Sequence, residues 1–488
     1  MIPSMEALES LKERVDAFLA LEEDTRLLEW EEYGLKVWPI IRTSLFFRLL
    51  TDSNIPAQKG KDIPVHPKEY IQIIKSMWSA IHYQGHHRAV VFSDATYRRF
   101  ETMKGWLDVT YDLLASVVGD AVFFEKRHFM DFEKPHWSSR VIGADGIEAL
   151  ALAKASASSI KKRIASRVPE QIFSLLQLSR GSSVGAVELT AQITYNATRS
   201  IASYSIYRRL LERIRPRIVF VNCASYGGSK AILCKACHDL GIITVEAQHG
   251  VVNQYHPAYN YGSAAAFFHE YLPDYFLVYG VYWANLLKRY PPVKVVIGNP
   301  FMDEWKAVNR MKRNDYANTV LFVSQPEVSQ LVTEYLIRAA QTLSRNYRLV
   351  FRPHPAELVS EEQERRLHSV GAVIDRTSHI YELLSRCGKV VGSHSTVLFE
   401  ARAFCNQVLV LDSPKSRAYI PVGFGRFIAN STELIEAIQS NEGCFDHMED
   451  SSLWAPNWRQ NFADFLSMCN IDSSGFSGVG NSSLILNP

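Results

Sequence analysis

Apolar positions recur at two different periods along this chain, and the change of period divides it. From Met1 to about Tyr83 they return at helical spacing, as in "ALESLKERVDAFLAL" and "LKVWPIIRTSLFFRLL". This predicts a helical N-terminal region, 1–84, broken by the Pro/Gly/Lys loop "NIPAQKGKDIPVHP". From Ala89 short β-rich runs take over: "AVVFSD", "AVFF", "RIVFVN", "GIITVEA", "DYFLVYG" and "VKVVIG", with helical stretches between them. Short apolar runs alternating with helices predict a parallel sheet covered on both faces. The long Ser/Ala/Arg-rich interval between Phe124 and Arg217 is predicted to be helical, an insertion that shapes a cleft. After the polar "KAVNRMKRNDYAN" a second series begins: "TVLFVSQ", "YRLVFRPHP", "AVID", "KVVGSHS" and "QVLVLD". The boundary is expected near Met311 to Asn318. The pattern therefore predicts an α/β protein with two Rossmann-like, doubly wound domains, 85–312 and 313–450, facing each other across a cleft. A closing helix and tail, 451–488, is expected to pack back across them.

Composition narrows the picture. At 488 residues the chain exceeds what one hydrophobic core serves, in keeping with two domains. Lys plus Arg is 53 and Asp plus Glu is 51, so no net field draws it to nucleic acid, and any anion must be bound locally. The seven cysteines lie mostly in apolar runs, which suits buried thiols in a reducing compartment and a cytoplasmic location. "MIPSMEALESLKERV" lacks the basic-then-apolar pattern of a signal peptide, and no stretch has the length of a membrane span. The helix with Trp38 and two Phe residues beside Arg42 and Arg48 has two placements. Packing on the next domain is favoured over a peripheral position on the inner face of the cell membrane. "CKACH", Cys234 to His238, has c-type haem spacing, but "SKAILCKACHDLG" reads better as an amphipathic helix with Ser229 as N-cap and Gly241 as its stop.

Four constellations fall at predicted strand ends. In "KVVGSHSTVLFEARAF" a strand turns into a helix, so unpaired N–H groups and the helix dipole converge where Ser393, His394, Ser395 and Thr396 stand. A phosphate is the expected guest, with simple helix capping by Ser395 or Thr396 the bland alternative. Glu400 one turn on is placed either for a ribose diol or as a structural carboxylate. In "LVFRPHPAE", Pro353 and Pro355 fix His354 at a strand end, where it and Arg352 suit a leaving phosphate. The third constellation is "VEAQHGVVNQYHPAY", behind "VFVNCASYGGSK": Glu246 and His249 are candidate proton-transfer groups. Tyr226, Gly227, Gln248 and His256 line the same lip, although "YHPAY" is equally a structural turn. The fourth is Asp94 in "VVFSDATYRRF", either a base or nucleophile or a cap of the next turn. No Asp-x-Asp, metal-ligand spacing, phosphate-loop or serine-hydrolase motif is present, so no metal is implied.

The order "QHG", "PDYFLVYGVYW", "VIGNP", "RPHP" and "GSHSTVLFEA", spanning about Ala89 to Leu411, resembles the GT-B nucleotide-sugar transferases of bacterial surface polysaccharides. It is closest to capsule-type Kdo transferases and polysialyltransferases, with CDP-glycerol glycerophosphotransferases as relatives. The resemblance implies that His354 and Ser393, Ser395 and Thr396 contact the donor's phosphate in the C-terminal domain. It also implies an acceptor-binding N-terminal domain with the catalytic acid, where Glu246 stands in place of the acidic pair of several sialyltransferases. The expected activity is metal-independent transfer of a sugar, Kdo or sialic-acid-like, from a CMP donor to a glycan or lipid-linked glycan. The nucleotide-sugar serves as co-substrate, with no separate cofactor. The alternatives are a CDP-polyol phosphotransferase, a UDP-sugar 2-epimerase and a non-catalytic glycan-binding subunit.

Overall fold

The computed structural model describes residues 6–23, 25–50, 67–128, 135–138, 140–156, 159–174, 176, 185–309, 318–355, 357–404, 407–440 and 450–473. Two compact units emerge from its contacts. The larger is built from Leu11–Tyr279, Trp283–Phe301 and Asn457–Pro488, and the smaller from Met1–Ser10, Gly280–Tyr282 and Met302–Pro456. Most of the boundary expected near Met311 to Asn318 lies outside the described residues. The chain passes between units at Phe301–Met302, and the closing helix Trp458–Met468 belongs to the larger one, with Phe462 against Phe220 and Phe465 against Tyr275.

The main sheet of the larger unit holds seven strands: β1 (Ala89–Asp94), β2 (Ala121–Lys126), β3 (Val141–Gly143), β4 (Ile218–Val221), β5 (Ile243–Ala247), β6 (Tyr275–Val278) and β7 (Val293–Val296). They lie in the order β7-β6-β5-β4-β1-β2-β3 and every neighbouring pair is parallel. Val90, Val91, Phe123, Phe124 and all of β4 are buried, because helices cover both faces and leave no strand side for water. Those helices include α1 (Trp38–Leu50), α2 (Pro67–His82), α3 (Asp145–Ser156), α4 (Ala186–Ile214) and α5 (Gly228–Asp239). The expected insertion is thus helical apart from β3, a three-residue edge strand whose half-buried "VIG" carries no apolar alternation.

Helix α1 is a core element. Trp38, Ile40, Ile41, Leu45 and Phe46 are buried, and the Arg42 guanidinium is sealed in with them. Its Nη2 donates to Glu22 Oε2 at 2.8 Å and to the Asn260 carbonyl at 3.0 Å, and the group lies 4.1 Å over the Tyr261 ring. A buried arginine with paired donors fastens the helix inside the unit, and the five apolar side chains named are not available to a membrane.

Helix α5 starts two residues earlier than its sequence suggests: Gly227 is the N-cap, not Ser229, and no side chain caps it. Gly227 has φ +80°, and a Cβ there would sit 2.8 Å from the Ile40 carbonyl of α1, so glycine is required by the contact as well as the torsion. Cys234 and Cys237 point into the core of this helix, and burial pushes both thiols well up, as two structural cysteines one turn apart should behave.

The smaller unit holds β8 (Thr319–Val323), β9 (Arg348–Arg352), β10 (Val373–Ile374), β11 (Lys389–Gly392), β12 (Gln407–Leu411) and β13 (Arg426–Ile428). Their order is β10-β9-β8-β11-β12-β13, again wholly parallel. Helices α6 (Ser329–Leu343) and α7 (Thr396–Ala403) follow β8 and β11, and Val320, Phe322, Leu336, Phe351 and Val391 form the core between sheet and helix. Both sheets run outward from a central first strand and then reverse to the other side, which is the doubly wound, Rossmann-like topology. The α/β class with two such units is what the apolar pattern predicts.

Candidate functional site

In a doubly wound sheet the crevice opens where the winding reverses, at the carboxyl ends of the two adjacent strands. In the smaller unit these strands are β8 and β11. The turn after β11 brings Ser393, His394 and Ser395 there, all buried, and Ser395 caps α7 by accepting from the Val397 N–H at 3.3 Å. Ser393 Oγ lies 3.3 Å from Ser413 Oγ beyond β12 and 3.1 Å from His394 Nδ1. The other ring nitrogen of His394 is 3.6 Å from Glu327, four residues past the β8 end, and Lys415 Nζ is 4.0 Å from the same carboxylate oxygen. The His394 bond holds the Glu327 carboxyl down to about 2, with Lys415 assisting. Thr396 opens α7, and Glu400 accepts from the Tyr381 hydroxyl at 3.2 Å.

On the other side of β8, Arg352 ends β9. Its guanidinium meets the Asp375 carbonyl at 3.0 Å and the Asp375 carboxylate at 3.2 Å, tying β9 to the end of β10. His354 and Pro355 are exposed beyond it. The His354 N–H donates to Glu357 Oε2 at 3.1 Å, and Glu357 Oε1 accepts from Ser324 Oγ at 3.1 Å and from Ser329 Oγ. One carboxylate therefore joins the "RPHP" loop to the end of β8 and the start of α6. Because β8 separates β9 from β11, His354 and Ser393 leave the same sheet edge two strand spacings apart, about 10 Å. Sequence reasoning missed Glu357 and Glu327. Glu327 and Glu357 sit four and five residues past the ends of β8 and β9, and Glu357 closes the quoted "RPHPAE".

In the larger unit the reversal lies between β1 and β4. Asp94 ends β1, accepts from Thr96 N–H at 3.0 Å and Thr96 Oγ1 at 2.7 Å, and meets His128 Nε2 at 2.8 Å. Burial pushes this carboxyl up, but the bonds from His128 and Thr96 together outweigh it and hold it at about 2. Past β4, Cys223 adopts φ +49° and sets its thiol 3.0 Å from Asn222 Oδ1, 3.4 Å from the Tyr97 hydroxyl and 3.6 Å from His249 Nε2. Nothing in the residue pattern marks this cysteine beyond a buried apolar thiol. Half-buried His249 stands between this thiol and the Tyr97 and Tyr226 rings.

Glu246 lies inside β5 and is fully buried. Its Oε2 accepts from the Ser225 N–H at 3.0 Å and Oγ at 2.6 Å, and its Oε1 from the Tyr259 hydroxyl at 2.9 Å. Burial, reinforced by Cys223, pushes the carboxyl up to about 7 against the bonds from Ser225. The Gln248 amide is spent between strands, donating to the Gly250 carbonyl at 2.9 Å and accepting from the Tyr279 N–H at 3.0 Å. His256 Nδ1 accepts from the Ala258 N–H at 3.3 Å and its Nε2 meets the Tyr226 hydroxyl at 3.0 Å; burial pushes this imidazole down to about 3. Tyr226, His249 and His256 thus form one ring cluster. Gly227 serves the helix contact already described.

Among the described residues no group of three or more His, Cys, Asp or Glu is placed to hold a metal ion, and no helix is long and apolar enough to cross a membrane. No protein-family model matches the chain, and no curated protein matches it. Among solved structures, the S. aureus MnaA–UDP co-structure is similar at 12% identity over 79% of this chain and 97% of that one, with a TM-score of 0.45. The UDP-GlcNAc 2-epimerase from Methanocaldococcus jannaschii is similar at 10% identity over 78% and 99%, with a TM-score of 0.44. The wall teichoic acid polymerase TagF is similar at 10% identity over 85% and 94%, with a TM-score of 0.40. At TM-scores below 0.5 these likenesses carry no argument, and function rests on this chain's own residues.

Proposed function

We propose that the protein is a metal-independent glycosyltransferase whose smaller unit binds the nucleotide of an activated sugar. One observation carries this reading. His354 and the Ser393–Thr396 turn, the two motifs that resemble those of GT-B transferases, leave the carboxyl end of one parallel sheet on either side of its central strand β8, and the turn stands where the winding reverses, at a helix N-terminus. As the glycosyl bond breaks, charge grows on the departing phosphate, and prearranged N–H groups, Ser393 and His354 stabilise it without reorganising. Arg352 acts through Asp375 to hold the loop. The donor is a CMP-sugar of the Kdo or sialic acid kind, and the acceptor is a glycan or lipid-linked glycan bound by the larger unit.

In this reading His249 takes the acceptor's proton. Asp94, held at about 2, is too weak a base. Glu246 is sealed from any acceptor and supports the turn through Ser225 and Tyr259. The test is turnover of CMP-Kdo or CMP-sialic acid with an oligosaccharide acceptor, followed by mass spectrometry. His249→Ala should cost about 100-fold or more in kcat while nucleotide binding persists. Phosphorus retained in the product would select a CDP-polyol phosphotransferase instead, and UDP-sugar consumption without acceptor would select an epimerase.

A further inference from the structure

The sequence favours packing of α1 over a membrane position, and the structure buries it; the next helix, α2, does the opposite. Tyr70, Ile71, Ile74 and Trp78 are 56%, 53%, 58% and 65% exposed and recur at one helical face. The opposite face is fastened. Ser76 Oγ donates to the Gly143 carbonyl at 2.7 Å and accepts from the Gly146 N–H at 2.9 Å. A Cβ on Gly146 would lie 2.1 Å from the Met77 nitrogen, so α2 and α3 touch backbone to backbone. Arg213 of α4 binds the Ala80 and Ile81 carbonyls. The apolar stripe is therefore held outward by the fold rather than left over from a loose segment.

We infer that this face of α2 is an interfacial anchor that takes the headgroup and upper acyl region of an anionic lipid bilayer. Composition argues for the lipid. Residues 70–88 contain Lys75, Arg88 and three histidines and no Asp or Glu. Helix α3, packed against α2, has its acids Asp145 and Glu148 in the first turn, and beyond them residues 149–169 have no acid and carry the exposed Lys154, Lys161 and Lys162. Trp and Tyr beside Ile, with cations outnumbering acids along these two stretches, match the water–lipid boundary, where aromatic rings sit at headgroup depth and Lys meets phosphate. Trp78 and the exposed His82 ring stack at 3.8 Å, which presents a broad amphipathic plate.

A second copy of the chain fits this face less well. The four side chains offer on the order of 500 Å² of accessible surface, below the roughly 800 Å² per partner of a stable interface. A two-fold pairing would also set Lys75 and its basic surroundings against themselves.

The inference stands apart from the nucleotide-sugar reading, because its test needs no turnover. Full-length protein is co-sedimented with phosphatidylcholine vesicles with and without phosphatidylglycerol, at low and high salt. Wild type should partition onto the anionic vesicles and weaken with salt. I71S/I74S/W78S should lose about tenfold or more of that partitioning, and Lys75→Glu part of it, with melting temperatures unchanged because these side chains are exposed. Equal partitioning of the triple variant, or no binding of wild type to anionic vesicles, overturns the inference. So does sedimentation velocity in which wild type is a dimer that the triple variant splits, which would assign the stripe to a second copy.

Discussion

Glu246 carries the sharpest residue-scale consequence. Its carboxyl is pushed from an ordinary 4.5 up to about 7, so the folded protein holds a proton there that the unfolded chain releases. The stability tied to that proton is complete below about pH 4.5 and is lost as pH rises through about 7, a difference on the order of 3 kcal/mol. Urea unfolding of wild type between pH 5 and 8 should lose stability relative to Glu246→Gln by that order; parallel curves would mean the carboxyl is ordinary. Glu357 gives a second test. Removing its bonds to His354, Ser324 and Ser329 by Glu357→Ala should weaken nucleotide binding about tenfold in calorimetry, since each such hydrogen bond contributes on the order of 1 kcal/mol. Residue types and strand-end positions exposed His354, Ser393 and Glu246 in the sequence. What sequence could not reveal was the commitment of each polar atom: Gln248 is consumed between strands, and Cys223 meets His249 only through β4 and β5 lying side by side.

At the scale of elements, the eleven β-rich runs read from the sequence all fall on strands, because strands buried on both faces must be apolar throughout. In the two parallel sheets the strands it missed, β3 and β13, are three residues long and sit at sheet edges; it also missed the small antiparallel pairs Glu31–Glu32 with Leu35–Lys36 and Arg98–Thr102 with Gly105–Asp108. Helix starts were less legible. Ser229 satisfies every local rule for a cap, but the contact between α5 and the Ile40 carbonyl of α1 selects Gly227, and a tertiary contact leaves no trace in local sequence. That explanation makes a contrast. Gly227→Ala combines φ +80° with a Cβ 2.8 Å from that carbonyl, whereas Gly241→Ala, at φ +66°, meets nothing within 4 Å. Denaturant unfolding should show about 1 kcal/mol lost at Gly241 and clearly more, about 3 kcal/mol, at Gly227. Equal losses would remove the close approach as the reason for the glycine.

For the molecule as a whole, the account assigns phosphate chemistry to helix starts, hydroxyls and His354, with no cation required. Turnover should therefore survive EDTA, and abolition restored by Mg²⁺ or Mn²⁺ would place a metal in the reaction. The more direct test lies with the nucleotide itself. Thermal unfolding with CMP, CDP, UDP and GDP in turn, on wild type and His354→Ala, examines the smaller unit without needing the right sugar or acceptor. His354 is exposed, so its loss should leave the unliganded melting temperature unchanged. The account predicts that a cytidine nucleotide raises the melting temperature of wild type and that His354→Ala abolishes the shift. A preference for UDP or GDP would contradict the CMP-sugar assignment alone. No shift with any of the four, or a full shift in His354→Ala, would contradict the claim that the reversal of the smaller sheet is a nucleotide site.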